Sequence, residues 1–68
     1  MTDAYLVQID LKRIAENFSL AERKPWDVAQ VKEWLLSEGF IERADGWLCE
    51  ELTLDLLDKS EVLSKREV

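Results

Sequence analysis

The stretch WDVAQVKEWLLSEGF, Trp26 to Phe40, specifies both ends of one helix. Asp27 fits the N-cap, where its carboxylate accepts a hydrogen bond from an otherwise unpaired backbone N–H. Gln30, three residues on, can reach back to the N–H of the cap, which completes a capping box. Trp26 and Val31 then occupy the two positions of a hydrophobic staple. At the other end Gly39 suits a left-handed residue beyond the last turn, and Phe40 can fold back on Leu35 as in a Schellman turn. Val28, Val31, Trp34 and Leu35 share one face. The spacing therefore predicts a central helix over 27–38, with the remaining elements packed around it.

Working outward, the first segment, Met1 to Phe18, has two readings. As one helix capped by Asp3, it places Ala4, Val7, Leu11, Ile14, Ala15 and Phe18 on one stripe. As a strand followed by a helix, it alternates Tyr5, Val7 and Ile9, and Asp10 caps a helix from Leu11 to Phe18. Ser19 to Pro25 is a connection, because Pro25 cannot continue a helix and pushes Lys24 out of the α region.

After the central helix, Asp45-Gly46 is a hairpin-turn dipeptide. Pairing FIERA with WLCEE around a two-residue loop puts Phe40, Glu42 and Ala44 on one face with Trp47, Cys49 and Glu51. Ile41 and Arg43 then share the other face with Leu48 and Glu50. The alternative is a plain loop leading into a helix. Leu52 to Val68 reads as a final helix capped by Thr53, with Leu56, Leu57 and Leu63 inward, or as a shorter one capped by Ser60. The expected fold is mainly α with a short β-hairpin, an α+β arrangement of about three helices around the central helix 27–38. An all-α three-helix bundle is the alternative.

Size and charge bound the function. Sixty-eight residues make one domain, and a core this small supplies only about 3–5 kcal/mol. Cys49 is the sole cysteine and there is no histidine, which removes an internal disulfide and the usual zinc sites. No cofactor or metal is expected. An efficient core, or self-association into a homodimer, has to supply the stability. The 47% hydrophobic content and three tryptophans favour a packed core over disorder. The net charge of −6 disfavours phosphate and anionic lipid as ligands and favours a basic protein partner. No apolar run approaches the roughly 20 residues that span a bilayer. With one cysteine and no export signal, a cytoplasmic location is expected.

Catalysis has little to work with. Histidine, the commonest general base, is missing, and Glu50 and Glu51 beside Cys49 would raise a thiol pKa rather than lower it. The acidic residues lack the alternating ligand spacing of a calcium loop, and Gly39 and Gly46 are too few for a phosphate loop. An enzyme is not expected. Trp47 follows the hairpin turn, so it is the tryptophan expected at a partner surface, together with Arg43, Glu50 and Glu51.

The segments LKRIAENF, DVAQVKEWLLSEGF and IERADGWLCEE, covering roughly residues 11–50, together resemble a winged helix-turn-helix. Leu36-Ser37-Glu38-Gly39-Phe40-Ile41 is similar to the end of that family's second helix, and Asp45-Gly46 falls where its wing tip would lie. The linker containing Pro25 is longer than the family's usual tight turn. The resemblance implies a winged-helix-like fold and DNA reading by Ala29, Gln30, Lys32 and Glu33, with Arg43 on the wing. Arg23 and Lys24 would add phosphate contacts. Only Gln30 is suited to reading a base edge, and the face has too few cations for a lone DNA-binding domain. The first functional expectation is therefore a small non-catalytic protein-interaction or regulatory module. A winged-helix transcriptional regulator is the runner-up, and an acidic inhibitor that imitates nucleic acid is third.

Overall fold

The computed structural model describes residues 4–68. The elements run β1 (Ala4–Ile9), α1 (Leu11–Glu22), α2 (Val28–Glu38), β2 (Ile41–Arg43), β3 (Gly46–Glu50), α3 (Glu51–Leu54), a 3-10 turn (Lys59–Glu61) and β4 (Val62–Glu67). The strands form one antiparallel sheet in the order β2-β3-β1-β4.

The α+β class and three helices agree with expectation, but the chain is not mainly α with a lone hairpin: the hairpin belongs to a four-stranded sheet, which also excludes the all-α bundle. Two segments account for the difference. Residues 4–9 are a strand, and Asp10 caps α1 by accepting from the Arg13 N–H at 3.1 Å. The other cap expected for this segment, Asp3, lies outside the described residues. Residues 52–68 do not form one helix. Only residues 52–54, the end of α3, are α-helical there, and β4 pairs with β1 from Tyr5↔Glu67 to Ile9↔Val62. The physical reason is β1's second edge. A strand has polar backbone groups along both edges, and they need partners when buried. The Asp10 N–H to Glu61 carbonyl bond at 2.8 Å and the Val68 N–H to Ala4 carbonyl bond at 3.1 Å extend the pairing past both ends of β4. Leu56 and Leu63, expected inward, are exposed.

The central helix follows its local signals. Asp27 accepts from the Gln30 N–H at 2.8 Å, and the Gln30 side chain accepts from the Asp27 N–H at 3.0 Å. Phe40 N–H donates to the Leu35 carbonyl at 3.0 Å and Gly39 N–H to Leu36 at 3.4 Å, the two bonds of a Schellman turn. Between α1 and α2, Ser19 Oγ donates to the Ala15 carbonyl and accepts from the Trp26 N–H, so one hydroxyl ties the linker to α1. A second capping box closes the 3-10 turn. Glu61 is buried, accepting from the Asp58 N–H through one carboxylate oxygen and from Asn17 of α1 through the other, each at 2.7 Å. The Ser60 hydroxyl, and then its N–H, hold the Asp58 carboxyl below its ordinary pKa.

Strand alternation divides the sheet into two faces. Val7, Trp47 and Cys49 pack with Ile14, Ala15, Val31, Leu35 and Phe40 into the core, so α1 and α2 cover that face. The hairpin turn lies one residue earlier than Asp45-Gly46, with Arg43 paired to Gly46 and Ala44-Asp45 as the loop. The register differs from the expected one by an even number of residues, so each side chain keeps its face. Gly46, at φ +148°, has no room for a side chain. A Cβ there would lie 2.7 Å from the Val7 carbonyl and 2.9 Å from Gln8 Nε2. A Cβ on Gly39 would meet nothing closer than 3.8 Å. Gly46→Ala is expected to cost at least ~2 kcal/mol through strain and overpacking, and Gly39→Ala about 1–2 kcal/mol through its backbone alone. Urea unfolding of both variants checks the order.

Candidate functional site

Among the described residues, α1 and α2 leave the second face of the sheet uncovered, and α3 borders it through Thr53. Register places Ile41, Leu48, Leu6 and Arg66 in one row across β2, β3, β1 and β4. Arg43 and Gln8 lie on one side of this row, and Glu50 and Ala4 on the other. None of these residues is buried, and Ile41 is 52% exposed. An antiparallel sheet with one wet face normally alternates apolar inward with polar outward. Here three successive strands turn a large aliphatic side chain outward. Two hollows flank the row. One, of about 440 Å³, is lined by Ala4, Gly39, Ile41, Leu48 and Thr53 among others; the other, of about 210 Å³, by Leu6, Arg43, Asp45, Leu48 and Val68.

The electrostatics of this face are mixed. Arg66 reaches Asp45 at 3.9 Å, a loose pair with both side chains mostly exposed, worth little in water. Gln8 Nε2 donates to the Asp45 carbonyl, which fixes the hairpin tip against β1. Arg43 makes no ion pair with any described residue. Arg43 and Arg66 balance Asp45 and Glu50, so the face is neutral on a chain of net charge −6.

The residues expected at a partner surface separate. Arg43 and Glu50 lie on the uncovered face. Glu51 begins α3 and is exposed. Trp47 is 6% exposed in the core, opposite Val7 on the helix-covered side. Its position just after the turn suggested exposure, but Gly46 opens the strand, and the next residue faces inward. The expected surface missed Leu6 and Arg66, which come from the two strands flanking the hairpin's inner side. That Ile41 and Leu48 share a face was present in the alternation of the hairpin; their direct pairing comes from the observed register.

The expected nucleic-acid set is not brought onto one surface. Gln30 uses its amide oxygen in the α2 cap, Lys32 pairs with Glu42 at 3.5 Å, and Lys24 pairs with Glu22 at 3.6 Å. Arg23 closes α1 in a left-handed conformation, φ 56°. Arg43 lies on the sheet face opposite the helices. For chemistry, burial pushes the Cys49 thiol pKa up, away from the thiolate. Among the described residues no group of three or more acidic or cysteine side chains could hold a metal, and no helix is long and apolar enough to cross a membrane.

No family model, curated protein or solved structure matches the chain. Trp47→Ala is expected to cost about 3–5 kcal/mol, enough to abolish the cooperative thermal transition followed by circular dichroism. Ile41→Ala, at an exposed position, is expected to keep that transition within about 0.5 kcal/mol of wild type.

Proposed function

We propose that this chain is a small non-catalytic interaction module that binds a protein partner through the uncovered face of its sheet. The observation carrying the proposal is the cross-strand row Ile41–Leu48–Leu6, exposed to solvent and continued by Arg66. A contiguous apolar patch with a polar rim is the signature of an interface. The row lies on regular strands rather than loops, so its backbone is already ordered and loses little freedom on binding. Arg43, which has no ion pair with described residues, and Glu50 supply rim charges of opposite sign that orient a partner.

A different protein suits the face better than a second copy. The face itself is neutral, but two chains of charge −6 repel at longer range. The nucleic-acid reading has less support, because Lys24 and Lys32 pair with Glu22 and Glu42 and Arg43 faces away from α2. The buried Cys49, with its raised pKa, is a packing residue in this account, and no residue is assigned a catalytic role.

The test uses the purified chain as bait, with Ile41→Asp and Arg43→Glu as matched baits and nuclease present throughout. Both substitutions lie at exposed positions, and circular dichroism verifies the fold. A protein retained in stoichiometric amount by wild type, and reduced at least ~10-fold by either variant, is the expected result, since a central apolar contact is worth more than about 1.4 kcal/mol. A partner held equally by all three baits would place the interface elsewhere and overturn the proposal.

A further inference from the structure

A second surface, on the helical side, has its own chemistry. Phe18 of α1 lies edge-on to two tryptophan rings, Trp26 at 4.9 Å and 75° and Trp34 at 4.9 Å and 90°. Both tryptophans stay half-buried rather than closing into the core. They wall a shallow hollow of about 390 Å³ along α2, lined also by Gln30, Glu33 and Ser37. The backbone that carries both walls is anchored. Trp26 is held from the backbone by the Ser19 hydroxyl at 3.0 Å, and Trp34 lies within the regular turns of α2.

The lining is rich in acceptors. Glu33 is exposed and makes no ion pair with a described residue. Ser37 Oγ donates to the Trp34 carbonyl at 2.7 Å, which leaves its oxygen free to accept. The Gln30 oxygen, with one bond to the Asp27 N–H, has a second lone pair. Aromatic faces beside an unpaired carboxylate are attractive to a cation, and the chain's charge of −6 adds a long-range pull of the same sign.

We propose that the Trp26–Trp34 hollow binds an arginine side chain presented by a basic protein segment. Arginine suits it better than lysine. The guanidinium is planar and weakly hydrated, so it stacks on indole, while its donor fork matches a carboxylate. The guanidinium lies against one or both indoles and donates to Glu33, with Ser37 and Gln30 as further acceptors. This site is separate from the sheet face and does not depend on it.

The three indole N–H signals of the full chain make the test direct. Two-dimensional ¹H–¹⁵N spectra are recorded while a capped tetra-arginine peptide is added at about 0.15 M salt, where exposed long-range attraction is largely screened. Trp26→Phe and Trp34→Phe assign the signals. The expected result is saturable shifts of the Trp26 and Trp34 indoles, with Trp47 still. Affinity should fall at least ~3-fold for tetra-lysine and for the Glu33→Gln protein, and stay unchanged in Ile41→Asp. Absence of shifts at Trp26 and Trp34 would overturn the proposal. So would shifts of equal size for arginine and lysine that survive Glu33→Gln, because those report diffuse attraction to an acidic surface.

Discussion

Strand β1 has to be paired along both edges, and the rest of the structure follows from that requirement. Its six residues carry a backbone donor and acceptor each, with Val7 wholly buried at the middle. Unpaired, those groups would cost more than this small core could return. On one side β1 recruits β3, and with it the hairpin that follows α2. On the other it recruits residues 62–67, drawing the C-terminal segment out of helix and into β4. The buried Glu61 fastens the same junction by bridging Asn17 of α1 to the 3-10 turn.

Sheet pairing also decides which surfaces are left open. Helices α1 and α2 cover one face, and among the described residues only the short α3 borders the other. The sheet's own edges are poor docking sites. β2 has only three residues, while β4 bears Lys65, Arg66 and a register irregularity opposite Gln8 and Ile9, all features that discourage strand addition. The uncovered face is different in kind, since its central positions are aliphatic. On the helical side the Phe18–Trp26–Trp34 cluster leaves an aromatic hollow beside Glu33, which has no ion pair with a described residue. The two surfaces have unlike chemistry, one apolar and neutral, the other aromatic and anionic.

The sequence was most legible where the determinants are local. Both ends of α2 are written within Trp26–Phe40, and cap, capping box and Schellman turn all form there. The hairpin was legible in its faces, because alternation survives an even shift in register, though not in its turn, where the Val7 carbonyl selects Gly46 for the strand. Residues 4–9 carried helical and strand patterns together, and only partners forty or more residues away resolve them. Residues 52–68 were misread for the same reason. Their leucines fit a helical face, but pairing with β1 outweighs local propensity. Of the candidate surface, Arg43 and Glu50 were readable from the hairpin alone. Leu6 and Arg66 join them only through the sheet, and the same sheet takes Trp47 inward.

The pairing of β1 on both edges is open to direct measurement by amide hydrogen exchange. In a sheet of order β2-β3-β1-β4, the interior residues of β1 all donate to a neighbour, whereas β4 has one free edge. Pairing on both edges requires slow exchange at every amide from Leu6 to Gln8, near the limit set by global unfolding, and slow and fast amides alternating along β4. Continuous protection from Leu57 to Arg66, with fast exchange at alternate positions of β1, would instead mean that the C-terminal segment is a helix and that β1 has one free edge.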